Sequence, residues 1–192
     1  MTLSTEERAY LLDLAREAIV HVAGDEDPPA VDMDGVPERL RRNGASFVTL
    51  NKRERLRGCI GSLEARRPLA QDVQQNAVGA ALRDPRFPPV RPGETDELTI
   101  ELSVLSQPEP LHYDGIDDLC RKLRPGVDGV VIERGWQRAT FLPQVWEKLR
   151  DERQFLERLC LKAGLTPAAI ASGDLDVYTY QVEKFGEEEV EG

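Results

Sequence analysis

Histidine and cysteine are scarce in this 192-residue chain, with two of the first and three of the second. His21 and His112 are far apart and fit no ligand spacing. Cys59, Cys120 and Cys160 form no CxxC pair, which speaks against a zinc site. Three cysteines cannot all pair within one molecule, so they are expected as reduced thiols in a reducing compartment. No acidic group has the spacing of a metal loop, and no metal or other cofactor is expected. Long apolar runs are missing too: none approaches the roughly 20 residues of a membrane span. The N-terminus lacks the pattern of a signal peptide, so the expected location is the cytoplasm and no membrane partner is expected.

An excess of basic charge is also lacking. The formal net charge is −10, from 25 Lys and Arg against 35 Asp and Glu. Much of the acidity is confined to two stretches without Lys or Arg: Asp25, Glu26, Asp27, Asp32 and Asp34, and then Glu187, Glu188, Glu189 and Glu191. Without these nine acids the other 26 nearly balance the 25 bases. A loop and a tail, both expected to be solvated and mobile, therefore carry the net charge of a nearly neutral body. Long-range attraction of nucleic acid is not expected. The cationic stretch Lys52, Arg53 and Arg55 has no aromatic neighbours for base stacking.

What is present is the composition of an ordinary globular protein, 40% hydrophobic and 31% charged. The length suits one large domain or two closely joined lobes. Ser4 to Glu7 fits a capping box, followed by Leu11, Leu14, Ala15, Ala18, Ile19 and Val22 at helical spacing up to Gly24. After the acidic loop 25–36, Pro37 opens a short turn that Gly44 would close. Phe47 to Leu50 and Leu56 to Leu63 read as a hairpin around the polar turn Asn51 to Arg55. Pro68 starts a helix with the stripe Leu69, Val73, Ala77, Ala80 and Ala81, and Asn76 at its border. Residues 84–89 form a stiff proline-rich loop. Leu98 to Leu105 alternates as a strand.

The second half repeats that order. A short helix carries Ile116, Leu119, Cys120 and Leu123. Gly129 to Glu133 and Gln137 to Leu142 make a second hairpin, turned at Arg134-Gly135. A helical region begins at Pro143, is capped afresh by Asp151 and runs to Gly164. Thr166-Pro167 starts a short helix, and Asp174 to Phe185 alternates as one long final strand. Each half therefore reads helix, strand, strand, helix, strand. This predicts an α+β fold of two related halves, approximately 1–110 and 111–186, with a curved, mostly antiparallel sheet, helices outside and a groove where the halves meet. Residues 187–192 are an acidic tail.

One stretch hints at chemistry: Leu56-Arg57-Gly58-Cys59-Ile60-Gly61. Alternation puts Arg57 and Cys59 on one face of a strand, with Leu56 and Ile60 on the other. Glycines beside a cysteine remove side-chain cover and admit a ligand or another backbone. A neighbouring guanidinium favours a thiolate.

The run LRGCIG, with PLAQDVQQNAVGAAL, DPRFPPV and LTIELSVLS after it, resembles the AMMECR family, named after an Alport-syndrome chromosomal-region gene product. Prokaryotic members are called AmmeMemoRadiSam system protein A. The segments PGVDGVVIE, RATFLPQVWEKL and FLERLCLKAGL are similar to the same family, so the resemblance spans roughly residues 5–185. It implies two related halves around a barrel-like sheet, and the company of a Memo-like protein and a radical S-adenosylmethionine protein. It supplies no reaction. Arg57, Gly58, Cys59, Gly61, Asn76, Asp84, Arg86 and Phe87 are carried over as signature residues only.

Each candidate has two readings. Cys59 is a nucleophile or modification site, or a small buried hydrophobe. Arg57 lowers its pKa or binds an anionic substrate. Glu101, between Thr99 and Ser103 on the polar face of its strand, is a base for Cys59 or a solvated strand residue. Asp84, Arg86 and Phe87 wall a pocket beside Cys59, with Arg86 a second anion contact; or Asp84 caps the turn, Arg86 pairs with an acid and Phe87 plugs the core. Asn76 is a pocket amide or a buried hydrogen-bond bridge. His112 reads as a surface residue, Cys120 and Cys160 as core, and Trp146 as a packing residue. The leading expectation is an enzyme or enzyme subunit with Cys59 as the reactive group and a small anionic ligand, acting with the two implied partners. The alternative is a non-catalytic scaffold in which the signature forms a docking groove.

Overall fold

A computed structural model describes residues 2–171 and 173–189. Among the described residues nine strands and five α-helices follow in the order α1 (Thr5–Ala23), β1 (Asn43–Lys52), β2 (Arg55–Gly61), β3 (Arg67–Pro68), α2 (Leu69–Leu82), β4 (Leu98–Leu105), β5 (Glu109–Pro110), α3 (Gly115–Lys122), β6 (Gly129–Arg134), β7 (Gln137–Phe141), α4 (Glu152–Lys162), α5 (Ala168–Ala171), β8 (Asp176–Tyr180) and β9 (Val182–Gly186). The chain divides into two compact units. Unit 1 comprises the residues up to Leu105 and those from Glu183 on; unit 2 runs from Ser106 to Val182. Unit 2 is thus inserted between β4 and β9, where the sequence suggested a single crossing near residue 110. Among the described residues no helix is long and apolar enough to cross a membrane.

In unit 1, α1 begins with the expected reciprocal cap: Glu7 N–H donates to Ser4 Oγ at 3.2 Å, and Ser4 N–H to Glu7 Oε2 at 2.8 Å. Its stripe of Leu11, Leu14, Ala15, Ala18, Ile19 and Val22 is buried, as is the α2 stripe of Leu69, Val73, Ala77, Ala80 and Ala81. Both pack with Val48, Leu50, Ile100 and Leu102 from the inner face of the sheet. A fully buried leucine or isoleucine contributes about 2 kcal/mol of transfer free energy. This sheet has the order β2-β1-β4-β9, with β3 paired to β1 off the main path.

Four details depart from the sequence reading. Gly44 lies inside β1 and closes no turn: it pairs with Arg67, and a Cβ there would meet the Leu69 side chain at 2.9 Å. The first hairpin turns on Arg53 and Glu54 alone, both in the left-handed region at φ 50° and 64°, so that its strands extend closer to the tip. The acidic loop is tied down, since Val31 and Met33 pack on the core and Gln74 Nε2 donates to the Pro29 carbonyl at 2.8 Å. Glu187, placed in a solvated tail, chelates Arg16 instead and accepts the Ile100 N–H at 2.8 Å. Glu191 of that tail is outside the described residues.

Unit 2 has the sheet order β5-β8-β6-β7. Its core joins Val130, Ile132, Ala139 and Val177 to Leu119 of α3 and to Phe155, Leu156, Leu159 and Cys160 of α4. Trp146 stacks on Phe155 at 3.7 Å and donates its indole N–H to the Asp128 carbonyl at 2.8 Å, a packing role as expected. The long final strand is broken at Gln181: β8 belongs to the sheet of unit 2 and β9 to that of unit 1. The fold is the anticipated α+β class with antiparallel sheets, and the expected helix-strand-strand-helix-strand order is interrupted by β3 and extended by β9 in unit 1, and preceded by β5 and interrupted by α5 in unit 2. The sheet, however, is not closed into a barrel, because the strands form two separate open sheets with free outer strands.

Candidate functional site

The geometry at Cys59 follows from an irregularity in the first hairpin. A register shift between Leu50 and Asn51 sets Thr49 opposite Cys59 and Leu50 opposite Gly58. Gly58 and Ile60 then face α2; a Cβ on Gly58 would meet the Ala80 carbonyl oxygen at 2.2 Å. Arg57, Cys59 and Gly61 take the opposite face, as alternation requires. There the Phe47 ring covers Gly61, leaving no space for a Cβ. The same register sets Glu101 of β4 opposite Thr49, so Cys59, Thr49 and Glu101 form one row across three strands.

Cys59 is half-buried, with its sulfur accepting a hydrogen bond from the Thr49 hydroxyl at 3.4 Å. β2 is an outer strand, and the backbone of Cys59 is paired on its free side by side chains. Asp84 Oδ2 accepts the Cys59 N–H at 2.8 Å, and Arg86 Nη2 donates to the Cys59 carbonyl at 3.5 Å. The carboxylate and guanidinium thus stand in for the peptide group of a neighbouring strand, one way in which an edge is blunted. They are themselves joined, with Arg86 Nε donating to Asp84 Oδ1 at 2.9 Å and Nη2 to Oδ2 at 2.6 Å. Arg86 holds the Asp84 carboxyl well below the usual range despite burial. Asp84 in turn raises the Arg86 pKa, with a further contribution from the Cys59 thiol beside it. The Phe87 ring lies 5.5 Å from the Arg86 guanidinium carbon.

Arg57 is engaged elsewhere. It forks onto Glu94 at 3.3 and 3.0 Å and also donates to the Pro89 carbonyl at 3.3 Å. This ion pair, aided by the Arg91 N–H and Lys52, pulls the Glu94 carboxyl down to about 2. Nη1 of Arg57 is buried and has no partner among the described residues. The loop 84–97 is therefore stapled to β2 twice, by Asp84–Arg86 at Cys59 and by Glu94 at Arg57. Each guanidinium already faces a carboxylate, so the site carries no surplus positive charge from this pair of arginines.

Asn76 is a buried bridge. Its Nδ2 donates to the Ser46 carbonyl at 3.0 Å and to Asp72 Oδ2 at 2.9 Å, while Asp72 also accepts from the Ser46 and Ser62 hydroxyls. Glu101 pairs with Lys184 of β9 at 2.9 Å and makes no contact with Cys59, since Thr49 stands between them. The structure thus brings Cys59, Asp84, Arg86 and Phe87 together, places Arg57 alongside, and separates Glu101 and Asn76 from the thiol. Cys160 is buried and Cys120 half-buried, and burial pushes both thiols up. Among the described residues no cluster of ligating side chains fit for a metal is present.

Sequence reasoning missed Thr49, Glu94 and Lys184. Thr49 was visible as a polar residue in an apolar strand, but its partner was hidden by the register shift. Glu94 lies 37 positions from Arg57, with no local signal.

This architecture is that of a two-unit α+β protein whose signature loop is knitted to an edge strand bearing a cysteine. The AMMECR1 family model matches residues 12–185, and the chain belongs to that family. It is 41% identical over 188 residues to a protein of Methanothermobacter thermautotrophicus, covering 97% of both chains. It is likewise 41% identical over 194 residues to Protein MK0488 of Methanopyrus kandleri, covering 99% of this chain and 93% of that one. The crystal structure of uncharacterized protein PH0010 from Pyrococcus horikoshii is similar with a TM-score of 0.73 and 37% identity, over 97% of this chain and 94% of that one.

Proposed function

We propose that the protein is an enzyme, or a subunit of one, whose reactive group is the Cys59 thiol. It acts on a small substrate with an anionic group that Arg86 contacts, with Phe87 beside it. The observation that carries this reading is the half-buried sulfur that accepts the Thr49 hydroxyl at 3.4 Å, on a residue whose carbonyl takes the Arg86 guanidinium at 3.5 Å. Asp84 then fixes Arg86 and the Cys59 backbone together, so the thiol and the cation keep one geometry without substrate. The three unpaired cysteines suit work in the cytoplasm. The partners, in this proposal, are the Memo-like protein and the radical S-adenosylmethionine protein that the family resemblance implies.

Iodoacetamide labelling of the native protein across pH tests this. Cys59 is expected to be labelled ahead of Cys120 and Cys160, and Cys59→Ser is expected to abolish turnover with the two partners. An inert Cys59, or full turnover in Cys59→Ser, defeats the catalytic role.

One observation favours a second reading. Because Arg57 and Arg86 are both neutralised by carboxylates of the loop 84–97, the signature also makes sense as a rigid docking surface without chemistry. That reading predicts partner binding that survives Cys59→Ser and is lost in Arg57→Gln or Arg86→Gln.

A further inference from the structure

A hollow in unit 1 lies apart from Cys59, where the end of α1 and the following acidic loop meet α2. Its volume is about 500 Å³. Val22, Val78 and Leu82 contribute apolar surface, and Val78 and Leu82 are only half-buried, so part of that surface still meets water. Asp25, Glu26 and Asp27 stand along one rim.

The rim is built, not loose. Asp25 adopts the left-handed region at φ 61°, Glu26 N–H returns to the His21 carbonyl at 3.0 Å, and Gln74 of α2 grips the loop through the Pro29 carbonyl. Its acids outnumber its bases: Arg83, which donates to the Gln75 carbonyl at 3.4 Å, is the cation among the lining residues. Among the described residues Asp25 and Asp27 have no ion-pair partner, and Glu26 has only His21 at 3.4 Å. Stretch 25–36 holds five acids and no Lys or Arg. The C-terminal end of α1 adds its partial negative charge at the same place. A half-covered apolar floor beside an excess of acids on a tethered loop is complementary to one kind of occupant.

We infer that this hollow docks a basic segment of a protein partner, with an apolar side chain placed on Val78 and Leu82 and lysines or arginines on Asp25, Glu26 and Asp27. The inference is independent of any chemistry at Cys59.

The test uses the whole chain and a short fluorescent peptide of lysines flanking leucines, with a glutamate-for-lysine peptide as its counterpart. Anisotropy is expected to show saturable binding of the basic peptide alone, weakening as salt rises. The triple variant Asp25→Asn, Glu26→Gln, Asp27→Asn, altered only at exposed positions, is expected to bind roughly tenfold more weakly. Glu188→Gln with Glu189→Gln is expected to bind as the parent does. Leu82→Ser, checked for an unchanged fold by circular dichroism, is expected to weaken binding at constant charge. Absence of saturable binding, equal binding of the acidic peptide, or equal loss in the Glu188/Glu189 variant overturns the inference; the last outcome marks mere attraction to a negatively charged chain.

Discussion

Cys59 and Thr140 occupy the same place in two hairpins of the same topology. Unit 1 orders its strands β2-β1-β4-β9, and unit 2, read from the corresponding edge, β7-β6-β8-β5. Matching the residues that face each core aligns the pair Leu50 and Gly58 with Ile132 and Ala139. The next pair outward is Thr49 and Cys59 in unit 1, and Val131 and Thr140 in unit 2. On the third strand Glu101 corresponds to Tyr178. One scaffold thus carries a row of hydroxyl, thiol and carboxylate in the first unit, and a row with buried Val131 at its centre in the second. The helix side differs as well. Ala139 is buried with its Cβ in place, whereas the Ala80 carbonyl fills that space at Gly58. Repeating a topology is compatible with building a polar site on only one copy, provided the helix behind that copy packs against a bare backbone.

The largest break in this comparison is expected from Gly58→Ala, which would force α2 away from the hairpin and cost about 3 kcal/mol in denaturant unfolding. The reverse change in unit 2, Ala139→Gly, is expected to cost only about 1 kcal/mol, so unequal results mark the closer packing of the first hairpin. A smaller effect is expected in acid. Arg57 lowers the Glu94 carboxyl from 4.5 to about 2 on folding, so this pair adds stability above the ordinary value that is lost as pH falls toward the folded one. Glu94→Gln is expected to lower Tm by about 3 °C near neutrality and to flatten the fall in Tm between pH 4.5 and about 2. The smallest change is kinetic. Thr49→Val, which gives the first unit the residue type found at Val131, is expected to slow alkylation of Cys59 about fivefold, and Thr49→Ser to restore it. An unchanged rate in Thr49→Val shows that the hydroxyl has no hold on the sulfur.

Much of the scaffold was legible because it rests on local signals. The cap at Ser4, the stripes of α1 and α2 and the alternation of β4 each lie within one element. Cys59 and Ile60 could be read to opposite strand faces for the same reason, whereas Leu56, expected beside Ile60, is exposed beyond the register shift. The misses are non-local or conformational. Arg53 and Glu54 supply a left-handed two-residue turn without the Asn-Gly that marks one. The shift at Leu50/Asn51 changes which residue opposes Cys59 and leaves no mark in composition. Arg57 was read as a cation free to serve the thiol, because its carboxylate partner comes from a loop beyond α2. The alternation from Asp174 to Phe185 continues through Gln181, since each short strand separately needs the same period whichever sheet it joins.

The insertion of unit 2 between β4 and β9 has a consequence for synthesis on the ribosome. Arg8 and Arg16 emerge early, but their carboxylates, Glu183 and Glu187, follow about 170 residues later. The first unit therefore waits, its sheet one strand short, while the inserted unit already has every strand of its own. The domain is completed inside out: the segment made in the middle can close before β9 arrives to finish what α1 began.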